Sequence, residues 1–383
     1  MRDVDVVVIG VGAMGSMALW RLAGRAADVL GFEQFAPGHD RGSSHGESRG
    51  IRTAHWEGAR ETPYVGLNKR AFELWRELEG ESHTDILNMN GYLTIGHADS
   101  QIVSGTVASS EFYGLQHEVL GQAAMRERYP QHRMSADEVA VHETQAGVLF
   151  PETGIRAAVQ RAEALGARIL RNTAVSALTC DPAGVTLVAG GNEVRARHAI
   201  VSVGAWLPAF LPELGGLLQV ERQVQFWFEV NQPDIFTPER CPVFIRELSG
   251  RRIRYGFPTL DGKTIKAACH HGGKTTSPRE IDRQVHPEDL APVQEFVQSC
   301  LNGVGNAVAR TKVCMYTNTP DHHFLVGSIP GRPNVTVLGG FSGHGYRFGP
   351  VFGDTAADLA LEGKTGYPIE YYSFSRFNAA SHS

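Results

Sequence analysis

Apolar residues along this chain fall into two textures. Near the start and the end they form short unbroken runs, the pattern of parallel strands covered on both faces. Val4-Asp5-Val6-Val7-Val8-Ile9 is the first such run and residues 28–32 the second, with a helical segment between them reaching about Leu22. Residues 63–78 carry helical spacing, residues 87–95 read as a strand, and a polar, mostly helical stretch extends to about Tyr129. Gly147-Val148-Leu149-Phe150 is apolar again and precedes an Ala-rich amphipathic helix over residues 155–165. Strands are then expected at residues 167–170, 175–178 and 185–188, followed by a buried one over residues 198–203 that stops at Gly204-Ala205-Trp206.

The second texture starts at Gln219. Val220, Arg222, Val224, Phe226, Phe228 and Val230 alternate with Glu221, Gln223, Gln225, Trp227 and Glu229, which predicts one long strand in a sheet covered on one side. Further strands at residues 243–247, 252–257 and 264–270 crowd closely enough to indicate a mostly antiparallel sheet. A parallel-type strand returns at residues 335–338, followed by the glycine-rich turn Gly339-Gly340-Phe341-Ser342-Gly343-His344-Gly345 and a last helix over residues 350–361. No internal repeat or low-complexity segment is evident.

Composition narrows the class without changing this outline. A chain of 383 residues can bury a sizeable core, and two domains are the ordinary expectation. Hydrophobic content of 42% and a formal charge of -5 fit a soluble globular protein. No long basic tract is present, which argues against nucleic acid as the main partner. No run approaches the roughly 20 apolar residues of a membrane span. Met1-Arg2-Asp3 leads straight into the first strand, without the n-region and cleavage site of a signal peptide. The cysteines (180, 241, 269, 300 and 314) are odd in number, scattered and free of CxxC spacing, so a reduced, cytoplasmic setting is expected. His270-His271 and His322-His323 lack a second cluster at ligand spacing, and no metal site is expected.

The first strand turns directly through Gly10-Val11-Gly12-Ala13-Met14-Gly15 into a helix, and the second strand ends at Glu33. Strand, glycines, helix and acid together make the dinucleotide-binding fingerprint in its required context. Gly10 permits the tight turn, Gly12 lets a pyrophosphate approach the backbone, and Gly15 lets helix and strand pack closely. The helix N-terminus offers free N–H groups to phosphates, and Glu33 is placed to accept from ribose hydroxyls. The fingerprint alone fits NAD or FAD. The second glycine turn at 339–345, again between strand and helix, points a further helix end at the same crevice. That suits the anionic edge of a reduced flavin and favours FAD. The expected fold class is α/β plus α+β: a Rossmann-type FAD-binding domain of residues 1–82, 147–217 and 318–383, with a mostly antiparallel substrate domain inserted in two pieces, 83–146 and 218–317.

Four motifs occur in order: Gly42-Ser43-Ser44-His45-Gly46-Glu47-Ser48-Arg49-Gly50-Ile51-Arg52, Tyr255-Gly256-Phe257-Pro258, Cys314-Met315-Tyr316-Thr317 and Gly340-Phe341-Ser342-Gly343-His344-Gly345. Together they resemble the monomeric sarcosine oxidase and N-methyl-tryptophan oxidase family of FAD-dependent amine oxidases, over essentially the whole chain. By its own residues Cys314 reads as a buried core cysteine; the resemblance implies a covalent bond to the flavin ring. Lys266, on a strand otherwise made of Ile265, Ala267 and Ala268, is either an edge charge or a functional cation. The resemblance implies the latter, a charge that favours electron transfer to O2. It likewise implies that His45, Arg49 and His270 stabilise the reduced ring, and it places Tyr316 in the catalytic set.

Arg52 and Arg347 match the pair that holds the substrate carboxylate, with Arg347 standing where the family usually has lysine, and Tyr255 and Tyr346 are expected in the substrate pocket or in the core. A second departure is Ala268-Cys269 before His270, where relatives carry glycine and a bulkier residue. The implied cofactor-binding set is Gly10, Gly12, Ala13, Met14, Gly15, Glu33, Gln34, Ser43, His45, Ser48, Arg49, Val175, Gly204, Cys314, Gly343, His344, Gly345 and Arg347. The implied activity is FAD-dependent oxidation of a secondary amine bearing a carboxylate: hydride transfer to flavin, imine hydrolysis, and reduction of O2 to hydrogen peroxide by a monomer. Two alternatives stand beside it. One is a deaminating amino acid oxidase or a flavin dehydrogenase with another acceptor; the other is a nucleotide-binding protein without turnover.

Overall fold

The computed structural model describes residues 2–57 and 62–378, organised around two eight-stranded sheets. In the first sheet Arg2–Ile9 lies between Asn192–Val201 and Val29–Phe32, parallel to both. Arg168–Leu170 extends it on one side, and Arg332–Gly339 pairs parallel with the end of Asn192–Val201 on the other. The first apolar run is buried on both faces because its alternate residues enter two cores. Val6 and Val8 pack with the helices Ala13–Ala23, Tyr64–Ser82, Pro151–Ala164 and Gly349–Glu362, while Val7 and Ile9 pack with Leu187, Leu207 and Leu214 on the opposite face.

The second sheet runs in the order Val304–Asn318, Gln219–Val230, Thr264–His270, Arg252–Phe257, Val243–Leu248, Tyr92–His97, Glu138–Glu143 and Glu118–Leu120. Every pair is antiparallel except Val243–Leu248 with Tyr92–His97. The helix Pro287–Cys300 covers one face through Val293, Phe296 and Val297; a capping box at His286 and Asp289 and a proline in its first turn set its start. A three-stranded sheet of Arg49–Ile51, Gly147–Leu149 and Leu87–Asn88 lies apart from the two large ones. No helix of the described residues is long and apolar enough to cross a membrane.

Several expectations need correction. The strand predicted over residues 87–95 is two strands, Leu87–Asn88 and Tyr92–His97, in different sheets; Gly91, with φ of 82°, breaks the run. The polar stretch to Tyr129 contains the strand Glu118–Leu120, and the sequence pattern also missed Glu138–Glu143, Pro287–Cys300, Val304–Asn318 and Leu325–Ile329. Most consequential is Gln219–Val230, expected to be covered on one side. Its polar face is buried too: Glu221, Gln223 and Gln225 are all under a tenth exposed. Glu221 accepts from Gly273 N–H at 2.6 Å, Gln223 Nε2 at 2.6 Å and Asn318 Nδ2 at 2.6 Å, so the alternation encodes a buried polar layer.

Candidate active site

The two sheets share a cavity of about 610 Å³. At one end stands the first glycine turn. Gly10 adopts φ of 87°, and Gly15 sits so close beneath it that a Cβ would lie 1.9 Å from the Gly10 carbonyl oxygen. Gly10, Gly12, Ala13 and Met14 line the cavity, whereas Gly15 is buried behind them as the packing glycine. Glu33 also lines it, with its carboxylate partly spent on the turn. Oε2 accepts from Val11 N–H at 2.8 Å and Oε1 from Phe35 N–H at 2.9 Å. Oε2 keeps a lone pair for a further donor, while His39 Nε2 already lies 3.5 Å from Oε1. Gln34, Val175 and Gly204 complete this end.

The loop from Ser43 to Arg49 crosses the middle, and two cations stitch it. Lys266 Nζ donates to the carbonyls of Gly46 at 2.9 Å and Ser48 at 2.7 Å, with its ammonium 4.2 Å from the Phe257 ring centroid. Arg49 donates to the carbonyls of Ser43, His45 and Ser48, each at 2.7 Å. Lys266, Arg49, Ser43 and Ser48 line the cavity. Burial, and then the adjacent Arg49, push the Lys266 pKa well below the ordinary lysine value. His45 is buried but outside the lining, with neither ring nitrogen bonded; burial and Arg49 bring its pKa down to about 3. Cys314 is likewise behind the wall. Its thiol lies 3.5 Å from the Ser43 carbonyl, its pKa raised by burial, while the next residues, Met315 and Tyr316, face the cavity.

The far end gathers Arg52, Arg347, Tyr255, His270, Tyr316, Tyr346 and the second glycine turn, Gly343, His344 and Gly345. Arg52 is 1% exposed, its guanidinium carbon 4.1 Å from the Trp56 ring centroid and 5.3 Å from that of Tyr92. Its Nε and Nη1 have no hydrogen-bond partner among the described residues. Arg347 donates from Nε to Asn68 Oδ1 at 3.1 Å, and its buried Nη2 is also unpartnered. Burial and the neighbouring Arg52 push its pKa down to about 10. His270 Nδ1 and the Tyr316 hydroxyl lie 3.3 Å apart, and burial, followed by His271, keeps His270 neutral. Tyr255 is raised to about 12 by burial. Tyr346 contributes only ring to the wall: its hydroxyl donates to the Pro151 carbonyl at 2.9 Å and its ring stacks on Trp75.

Four residues of the site escaped the sequence reading. Trp56, Tyr92 and Asn68 support the arginines, and Gln225 lines the cavity with Oε1 buried and unpartnered. Only Gln225 left a signal, as a member of the polar face of Gln219–Val230.

A cavity between a doubly wound sheet and an antiparallel one, entered by two glycine turns, defines a class of flavin-dependent oxidoreductase. The model of the FAD dependent oxidoreductase (DAO) family matches residues 5–359, and the chain belongs to that family. Among its relatives are a monomeric sarcosine oxidase from Streptomyces avermitilis, 37% identical over 98% of both chains, and an N-methyl-L-tryptophan oxidase from Salmonella dublin, 32% identical over 98% of this chain and 99% of the other. Solved structures with the same fold include NikD, an unusual amino acid oxidase essential for nikkomycin biosynthesis (TM-score 0.86, 21% identity, 97% of this chain and 98% of that one). Another is an L-proline dehydrogenase from P. horikoshii (TM-score 0.82, 22% identity, 99% of both chains).

The residues present fit FAD. A Cβ at Gly12 would meet no protein atom within 4 Å, so the glycine keeps backbone open to a ligand. Unpartnered buried donors and acceptors on Arg52, Arg347, His270 and Gln225 all belong to residues that line the cavity, as expected of a site built to receive a polar group.

Proposed function

We propose that this chain is an FAD-dependent oxidase of secondary amines that carry a carboxylate, such as N-methyl amino acids or cyclic imino acids. Bound FAD supplies the two-electron oxidation of the carbon beside the amine nitrogen and passes the electrons to O2, giving hydrogen peroxide. The first glycine turn, Glu33 and Gln34 would hold its nucleotide end. The 43–49 loop and the 343–345 turn would hold its ring, and Cys314 would be its covalent attachment. In this reading the first sheet belongs to an FAD-binding unit of residues 1–82, 147–217 and 318–383, and the second to a substrate unit of 83–146 and 218–317.

The observation that carries the substrate class is the arginine pair. Arg52 and Arg347 bury two guanidiniums at one end of the cavity with three N–H-bearing atoms unpartnered. A carboxylate offers about four acceptor sites, enough to satisfy them. Held there, the amine faces the ring end of the cavity beside His270, Tyr316 and Lys266. The two guanidiniums disfavour a neighbouring ammonium by like charge, so the amine is presented as the free base that oxidation requires. Lys266 gives O2 reduction a preplaced positive charge as superoxide develops.

The test is aerobic peroxide production with sarcosine, N-methyl-L-tryptophan, L-proline and L-pipecolate, repeated anaerobically with an artificial electron acceptor. Peroxide formed with at least one of these amines is the expected result. Turnover only with the artificial acceptor would make the protein a dehydrogenase. Yellow colour that stays with acid-precipitated protein would establish the covalent link, and colour lost to the supernatant would remove Cys314 from that role.

A further inference from the structure

Behind the arginine pair, two imidazoles and a carboxylate converge from distant parts of the chain. His55 and Glu57 lie just after Arg52, while His344 comes from the second glycine turn. Each offers one ligand atom within 4.8 Å of those of the other two. Glu57 Oε2 is 3.5 Å from His55 Nε2 and 3.5 Å from His344 Nε2. Two donors on a tetrahedral zinc ion, each about 2.0–2.1 Å from the metal, stand at nearly that separation.

The His55 ring is held as a metal-binding imidazole is held. It stacks on Tyr64 with centroids 3.8 Å apart and 6° between planes, and its Nδ1 lies 3.1 Å from the Glu57 carbonyl oxygen. A proton on Nδ1 given to that carbonyl leaves the Nε2 lone pair free, the arrangement by which a backbone carbonyl fixes the tautomer of a ligating histidine. His344 is held the other way round: its Nε2 lies 3.0 Å from the His322 carbonyl, so it ligates through Nε2 only by giving up that contact, and its Nδ1 is unpartnered. His55 Nε2 and Glu57 Oε2 are likewise buried side-chain atoms with no hydrogen-bond partner among the described residues. Arg52 and Arg347 oppose a cation here; burial raises the pKa of the Glu57 and Glu143 carboxyls, and the two arginines act against that rise.

We infer that His55, Glu57 and His344 form a binding site for one divalent cation of the zinc class. Two nitrogens and one oxygen select Zn2+, Ni2+ or Cu2+ over Mg2+ and Ca2+. Trp56, between two of the ligands, lies over Arg52, so a bound ion ties the cover of one arginine to the turn that precedes the other. The paired histidines at 270–271 and 322–323 gave no hint of this trio, whose members are joined only by the fold.

The test uses flavin-loaded protein stripped with a chelator and titrated with zinc sulfate against a chromogenic zinc indicator. One tight Zn2+ per chain is expected, not displaced by Mg2+. His55→Phe, which keeps a ring against Tyr64, and Glu57→Gln should each weaken it at least about tenfold, with flavin absorbance confirming that both variants fold. His97 beside Asp99 and Asp137 is an exposed competitor, and His97→Ala should leave the tight site intact. No saturable zinc, or a tight equivalent that survives His55→Phe and Glu57→Gln, would overturn the assignment.

Discussion

Arg52 has almost no contact with solvent, and its Nε and Nη1 have no partner among the described residues. Two aromatic faces hold it, and its N–H groups wait for a partner. Hydrogen bonds to a charged group are worth about 1.5–3 kcal/mol, so Arg52→Ala should raise KM for a carboxylate-bearing amine roughly tenfold to a hundredfold. Arg52→Lys keeps charge but loses the planar fork and should recover only part of that loss. Lys266 leads to a different prediction. In Lys266→Met, anaerobic flavin reduction by amine should change little, while reoxidation by O2 should slow about a hundredfold or more, measured as separate half-reactions. Because burial lowers the Lys266 pKa, the cation is present at low pH and lost as pH rises. Reoxidation should therefore fall with rising pH, with a midpoint below that of ordinary lysine, and this dependence should vanish in Lys266→Met. The residues used by the proposed chemistry were legible where a motif or the family resemblance pointed to them, Arg52 by the first and Lys266 and Arg347 by the second. Trp56 and Tyr92 were not, because an aromatic side chain in the sequence looks the same whether it fills a core or flanks a guanidinium.

At the level of elements, the turn from Arg2–Ile9 into Ala13–Ala23 depends on contact too close for any side chain. Gly15→Ala would push a methyl into the Gly10 carbonyl oxygen and toward Ser202 Oγ. Overpacking of this kind costs about 1–3 kcal/mol. Purified Gly15→Ala should carry less flavin per chain and unfold at lower denaturant concentration; full flavin content would mean that the turn does not bind it. Short apolar runs, the fingerprint helix and the last helix were readable because local pattern and tertiary burial agree there. The strand Gln219–Val230 was readable as an element but not in its setting. Alternation of polar and apolar residues ordinarily marks a solvent face, yet Glu221 here accepts from Gln223 on its own strand, from Gly273 in a loop and from Asn318 on the neighbouring strand. Val304–Asn318 was missed because its first half is largely exposed at the sheet edge and lacks an apolar signature.

Across the whole molecule, burial keeps several histidines neutral. His45 and His132 are brought down to about 3 and His198 to about 4, each chiefly by burial. In the unfolded chain each titrates near 6.5. Below that pH the unfolded state takes up protons that the folded state refuses, so stability falls as pH drops toward the folded values. Urea midpoints should therefore decline between pH 7.5 and 5.5, by on the order of 1 kcal/mol per histidine. An unchanged midpoint would mean that these imidazoles are not held neutral.

The central claim is that an arginine pair presents carboxylate-bearing secondary amines to flavin in the cavity between the two sheets. The most direct measurement is anaerobic mixing of the purified holoenzyme with sarcosine, N-methyl-L-tryptophan, L-proline and L-pipecolate, each beside its analogue lacking the carboxylate, while flavin absorbance is followed. The account predicts bleaching by at least one acid and far slower bleaching by its carboxylate-free counterpart. Bleaching by none of the acids, or at equal rates by an acid and its counterpart, would contradict it.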